Sequence, residues 1–439
     1  MQQNHSLCNM KKIWLVSLFV FLYGLIEAQP AGPALKLKEY PLDTAGNYRL
    51  TPTGTPALYA GEGLHYLQPL YEYFKQTVSG FDKNRLARHL AMAGDYLLAN
   101  YYLEQSYDSM MAIGYEDVKK YLDTMGKLQL LDARSYILQQ AAKERVVLFN
   151  ENAAQLQQRA YFYTLLEDFY KLGYRYLSIY WLSPLVNPAT APVSKFLGYQ
   201  VADPIAGEIV RKAKQLGFTL IAYGDSSMTR NTGNVQDAVQ ASRLAALLQQ
   251  DTAAKILVLD EQAHIAERPI GNFTPMGTVL KRLTGIDPFT IDQTELCSGS
   301  SFEYGRYFYR ELVKRIPVEQ VSVVTRGKQP VSLLENDLYD VQLLFPPVQE
   351  KYGRADWLTL LGSRKLAAVQ PAHRDLFLVQ AYYKEETFRN LLPTLIPADQ
   401  TYLTDRDGYY RLYLQPGQYT LIFRDLHYQV VAERDLEVK

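Results

Sequence analysis

Proton-transfer chemistry needs a base or acid, and a cation or donor to hold any negative charge that develops. Three residues of this chain have the right chemistry: Glu151, His264 and Arg159. Glu151 lies just after an apolar, partly β-branched run at residues 145–149, and His264 lies three residues beyond Glu261, just after a second such run at 255–259. In one reading Glu151 is the base, His264 the acid or orienter, and Arg159 holds an oxyanion or carboxylate. In the plainer reading Glu151 pairs with Arg159, eight residues on near the start of a helix, and His264 is a satisfied loop histidine. Tyr180, Trp181 and Asp225 also stand at strand ends and are candidate binding residues. Asp225-Ser226-Ser227 lacks the glycine-flanked elbow of a nucleophilic serine. Cys297 has no histidine near it in sequence and reads as a buried, inert thiol. Glu261 and His264 are spaced as in carboxylate-bridged metal sites, but no second pair completes one, so neither metal nor cofactor is expected.

The elements that position these groups follow from periodicity. Short apolar runs at 145–149, 176–182, 218–223 and 255–259 read as buried strands. Between them, Phe162, Leu165, Leu166, Phe169 and Leu172, then Ile205, Ile209, Val210, Ala213 and Leu216, fall at helical spacing. Gly173 and Gly217 close those two helices. Residues 235–248 form a third helix. Strands alternating with helices predict an α/β fold, a mainly parallel sheet covered on both faces, with ligands beyond the carboxyl ends of the strands. Residues 339–344 and 357–361 are expected to extend the sheet.

The flanks differ. Leu86, Leu90, Ala93, Leu97 and Tyr101 share one helix face, and residues 93–102 resemble a single tetratricopeptide-type helix pair with no second copy. Near the other end, Thr404-Asp405-Arg406-Asp407-Gly408 and Gln415-Pro416-Gly417-Gln418 are turn signals around alternating strands, similar to carboxypeptidase-regulatory-like modules. The expected organisation is a signal peptide at 1–28, an extended lead-in at 29–65 and a helical region at 66–143. An α/β domain at 144–370 and a small antiparallel β module at 371–439 complete it.

Lys11-Lys12, the apolar run at 13–26 and a cleavage site after Ala28 carry the export signal. The run is shorter than the roughly 20 residues of a membrane span, so no transmembrane segment is expected after cleavage. The mature chain is expected in the periplasm or outside the cell. Cys8 leaves with the signal, so Cys297 has no partner for an internal disulfide and the fold must rest on its core. Lys+Arg and Asp+Glu are both 46, without a basic stripe, which argues against nucleic acid as a partner. The 35 tyrosines fit amphipathic packing, with sugar or aromatic-ligand binding as the alternative.

From about Asp132 to Trp357 the chain resembles the erythromycin esterase-like family and the related ChaN-like and Tiki groups, in their bacterial branch. The matching blocks are Asn150-Glu151, Arg159, Leu165-Leu166, residues 172–177, Ala263-His264-Ile265, residues 284–295, Tyr339-Asp340 and Trp357-Leu358. The resemblance implies a hydrolase scaffold with a histidine three residues after the first glutamate, where this chain has Ala154. It also implies a glutamate where Tyr180 stands, an Arg-Glu pair where Gln236-Asp237 stands, and a histidine where Phe345 stands. Alanine can neither accept a proton nor bind a metal, and losing a general base forfeits about 10²–10⁴-fold in rate. The resemblance therefore implies a catalytically degenerate relative with a binding or structural role, its partner an unknown small molecule or surface partner. Two alternatives remain: a hydrolase rebuilt on Glu151 and His264, and a cell-surface adaptor acting through the helical and β modules.

Overall fold

A computed structural model describes residues 80–105, 115–198, 203–224, 233–300, 303–333, 338–372, 378–386, 394–425 and 429–439. The expected signal peptide and lead-in, and Asp225, lie outside the described residues.

The strands are β1 (Gln129–Asp132), β2 (Val146–Glu151), β3 (Tyr176–Ile179), β4 (Thr219–Ile221), β5 (Ile256–Glu261), β6 (Phe289–Leu296), β7 (Ser322–Arg326), β8 (Gln329–Pro330) and β9 (Val341–Leu344). They form one sheet in the order β1-β7-β9-β6-β2-β5-β3-β4, with β8 paired to β7. From β9 to β4 every pairing is parallel, and β7 joins antiparallel to β9 and β1. β2 and β5 run through the middle with no polar side chain before Asn150 and Asp260, as strands buried on both faces must. The fold is thus α/β.

The helices are α1 (Gly80–Ala93), α2 (Tyr96–Gln105), α3 (Tyr115–Thr124), α4 (Ala133–Ala141), α5 (Leu156–Lys171), α6 (Pro204–Leu216), α7 (Gly233–Gln250), α8 (Met276–Thr284) and α9 (Glu303–Arg315). Val147, Phe149, Leu257 and Leu259 point to one face of the sheet, where α4, α5 and α6 pack. Val146, Leu148, Ile256 and Val258 point to the other, under α7 and α8. Asp203 starts α6 by accepting from the Ile205 and Ala206 amides at 2.8 and 2.9 Å ahead of Pro204, and Gly217 ends it in the left-handed region at φ 91°. Among the described residues no helix is long and apolar enough to cross a membrane.

Three expectations change. Residues 357–361 do not extend the sheet, because Asp356–Leu360 is a 3-10 turn whose Trp357 packs on Tyr96 at 4.9 Å. β1 lies inside the stretch read as helical, since its half-polar Gln-Leu-Leu-Asp shows no strand pattern and it is held by edge pairing to β7. The β module begins earlier than 371: β12 (Lys365–Val369) pairs with β15 (Tyr410–Leu414). A second sheet of β14 (Asp399–Thr401), β13 (Leu378–Tyr383), β16 (Gly417–Arg424) and β17 (Val430–Val438) shares a core with it through Val379, Tyr410, Leu412, Tyr419 and Phe423. The remaining pair, β10 (Glu350–Lys351) and β11 (Arg354–Ala355), leads into it.

The module is bound to the α/β body by buried charge. Arg354 meets Asp399 at 2.8 Å with both side chains at most 1% exposed, and Asp399 also accepts the Tyr413 amide at 2.7 Å. Glu208 of α6 is reached by Arg211 at 2.9 Å, Tyr383 at 3.1 Å and Arg364 at 3.4 Å. Removing one partner of such a pair strands a charge in a dry interior. Asp399→Ala is expected to cost about 3–5 kcal/mol, read by denaturant unfolding as a single transition at lower midpoint. A loss below about 1 kcal/mol, or two separate transitions, would mean that body and module are independent.

Candidate functional site

At the carboxyl edge of the sheet the pleat divides the polar groups into two clusters. Successive strand residues face opposite sides, and β2 and β5 pair Asn150 with Asp260 and Glu151 with Glu261. Glu151 and Glu261 therefore share the face of α5, α6 and α1, and Asn150 and Asp260 share the face of α7 and α8.

On the first face Glu151 is 0% exposed and Arg159 1%. Arg159 donates from Nε to both Glu151 oxygens at 2.9 and 2.8 Å, and from Nη2 to Oε1 at 2.6 Å. Its Nη1 meets Asp203 Oδ2, whose other oxygen caps α6. Tyr180 donates its hydroxyl to Glu151, and the Trp181 ring lies 5.5 Å from the guanidinium carbon. Burial raises the Glu151 and Asp203 carboxyls above their usual range, in spite of Arg159 beside them. Two carboxyls around one guanidinium leave a net negative balance in a dry place, and their upward shift relieves it.

Beside this triad is a cleft of about 290 Å³, counted with its open mouth, lined by Arg88, Ala91, Met92, Ala153, Leu156, Arg159 and Asp203. Its enclosed part takes about one water molecule. Glu261, partly exposed, pairs with Arg88 of the lining at 3.3 Å. Tyr180 and Trp181, candidate binding residues by sequence, are not in the lining of this cleft. Tyr180 is spent on Glu151, and Trp181, 5% exposed, packs into the core. Ala154 packs against Ala87 and Leu103, and Phe345 against Tyr161, so apolar contacts fill both places where the resemblance implies histidines.

On the second face His264 Nδ1 donates to Asp237 of α7, 2.9 Å from each oxygen. Asp237 also takes the Met276 amide that opens α8, and Asp260 takes the Tyr223 hydroxyl at 2.7 Å. Burial by itself would lower the His264 pKa. The Asp237 hydrogen bond and the charges of Asp260, Asp237 and Glu261 overcome it and push it up to about 9. His264 is then charged at neutral pH, the wrong state for a base. Burial raises Asp260 to about 6, against the pull of His264. The structure thus brings Glu151 and Arg159 together and places His264 with a different set of partners across the sheet.

Sequence reasoning missed Asp203 and the role of Asp237. The Asp-Pro opening of α6 signals a cap, but nothing local signals an arginine partner 44 residues away. It also missed Glu295 at the end of β6. Glu295 is 3% exposed, its Oε2 has no hydrogen-bond partner, and burial and then Asp292 hold its carboxyl well above the usual range. Cys297 is buried and its thiol is pushed up by burial first, then by Asp292 and Glu295, as expected of an inert cysteine. Among the described residues no group of three His, Cys, Asp or Glu is placed to hold a metal.

No family model matches this chain, and no curated protein matches it. Among solved structures it is similar to RRSP, a MARTX toxin effector domain from Vibrio vulnificus, at 12% identity and TM-score 0.27, over 48% of this chain and 44% of that one. It is also similar to the C-terminal region of Pasteurella multocida toxin, a structure described as having a thiol-protease-like catalytic triad. There the identity is 11% and the TM-score 0.29, over 71% of this chain and 40% of that one. This chain spans less than half the length of either structure, and likeness at these scores bears on neither site nor activity.

The raised His264 pKa sets a sign for stability against pH. Its folded value, about 9, exceeds the ordinary 6.5, so its contribution is full below pH 6.5 and is lost as pH rises through 9. The amount is about 3 kcal/mol as an upper bound. Asp260, also raised, loses its contribution at lower pH, between about 4 and 6. In Asp237→Asn, unfolding free energy measured from pH 6.5 to 9.5 is expected to fall by at least about 1 kcal/mol less than in the parent chain. Parallel curves would show that Asp237 does not hold the His264 proton.

Proposed function

We propose that this chain is an exported, non-catalytic relative of the erythromycin esterase-like hydrolases, keeping the α/β scaffold and the strand-end site for binding or structure. One observation carries the reading: the Glu151 carboxylate is already held by three N–H···O contacts from Arg159 and by the Tyr180 hydroxyl. A base must have a free lone pair aimed at water. The charged state of His264 and the apolar packing of Ala154 and Phe345 support the same reading. Export rests on Lys11-Lys12 and the apolar run that follows.

The second reading, a hydrolase rebuilt on Glu151 and His264, has in its favour that Asp237 orients His264 as a working imidazole is oriented. It requires both residues at one cavity, and their partners lie on opposite faces of the sheet.

Purified mature protein is expected to leave simple nitrophenyl esters and lactones at the buffer rate between pH 5 and 9. Glu151→Gln should leave that rate unchanged while losing about 3–5 kcal/mol of stability, because it removes one of the two buried carboxylates paired with Arg159. Turnover that disappears in Glu151→Gln would sink the proposal. Protein recovered from an exporting host should begin at Gln29 by mass spectrometry, and an intact amino terminus on exported material would remove the cleavage assignment.

A further inference from the structure

We infer that α1 is a hinged cover over the strand-end site, pivoting at Gly94 and latched by Arg88 on Glu261. The inference rests on reading that site as a binding site, and it names what controls access to it.

The cleft exists only because α1 is closed. Arg88, Ala91 and Met92 of α1 make one wall, and Ala153, Leu156, Arg159 and Asp203 make the other. Swinging α1 away turns a space for about one water into an open depression floored by Arg159 and Asp203. The helix pair is built for such a motion. The most extensive packing of α1 is on α2, and α2 is the anchored partner. Asn100 donates to Ser298 at 2.9 Å and accepts from Gln155 at 3.0 Å, Arg306 donates to the Glu104 carbonyl at 2.9 Å, and Tyr96 packs on Trp357.

The pivot is fixed from the β module. Gly94 sits at φ 89°, a left-handed conformation suited to glycine, and a Cβ there would lie 2.1 Å from the Gln400 carbonyl oxygen. The Gln400 amide donates to the Met92 carbonyl, and Tyr402 donates to Asp95 at 2.9 Å while Asp95 caps α2 through the Leu98 amide. Away from the pivot, Arg88 meets Glu261 at a long 3.3 Å, with side chains 40% and 26% exposed. A half-exposed pair is weak and screened by salt, as a latch that must release has to be. Leu86 and Leu90 are fully buried, which makes the closed form dominant and the open form a minor state reached by local opening.

The experiment is thiol labelling. Ala153 lines the cleft, and buried Cys297 is a built-in reporter of global unfolding. In Ala153→Cys, a maleimide probe is expected to react slowly at residue 153 and not at Cys297. Adding Arg88→Ala or Glu261→Gln should each speed labelling at 153 about threefold, the range of an exposed ion pair. The two together should do no more than either alone, since they break the same contact. Equal rates in all variants, or Cys297 labelled in step with residue 153, would overturn the inference. Should the cysteine variant not fold, peroxide oxidation of cleft-lining Met92 against buried Met276 replaces it: Arg88→Ala must speed the former and spare the latter. Neither readout depends on hydrolysis, so an immobile α1 leaves the binding reading standing, and ester turnover leaves the hinge standing.

Discussion

The structure turns on one guanidinium. Arg159, buried in the first helical turns after the central strand, joins the tip of β2 to the start of α6 by holding Glu151 with one edge and Asp203 with another. An isolated charge could not be kept there, and a single ion pair would still leave lone pairs unsatisfied. The surroundings make up the difference. Tyr180 donates to Glu151, the α6 amides donate to Asp203, and the positive end of that helix faces a negative cap. The loop from β3 to α6 must therefore return to this point whatever its course, and α5 and α6 are locked on one face of the sheet.

The same interaction bears on what Glu151 can do. Its charge is consumed in holding the layers together, and the upward shift of its pKa comes from burial, not from a proton acceptor waiting nearby. Across the pleat, His264 has what Glu151 lacks, a partly exposed position and an orienting carboxylate, but three acids hold its proton too tightly for use as a base. Loops leaving neighbouring parallel strands do converge at this edge. The alternation of side chains along β2 and β5 then separates what convergence brings near.

The parallel part of the fold was legible because it is written in local patterns. The runs that became β2, β4 and β5, the 3.6-residue spacing of α5 and α6 and the closing Gly173 and Gly217 need no knowledge of distant residues. β6 was not legible as a strand: Thr290, Asp292, Gln293, Thr294 and Glu295 make it look polar, and each is buried by contacts from elsewhere in the chain. β1 and the turn at Trp357 failed for the same reason, since edge pairing and a Tyr96 contact decide them. Of the site, Glu151 with Arg159 was readable from an eight-residue spacing. Asp203 and Asp237 were not, because their partners are set by tertiary packing and their local signals describe helix caps and helix faces.

Under the proposed non-catalytic reading, the distribution of buried acids bears on whether the site binds or only supports the fold. Glu151, Asp203, Asp260, Asp292 and Glu295 are all buried with carboxyls driven upward by desolvation, so each costs stability as pH approaches neutrality. Buried ion pairs exchanged for apolar residues of similar size commonly gain about 1–4 kcal/mol. A site serving structure alone would be better built of leucine and phenylalanine, as the places of Ala154 and Phe345 already are. These five lie at or near the sheet's carboxyl edge, and Glu151 and Asp203 adjoin a cleft whose outer wall is a helix, whereas buried Glu208 and Asp399 tie the β module to the body. Polar groups held at such cost, beside a wall that can move, favour a binding role over a purely structural one.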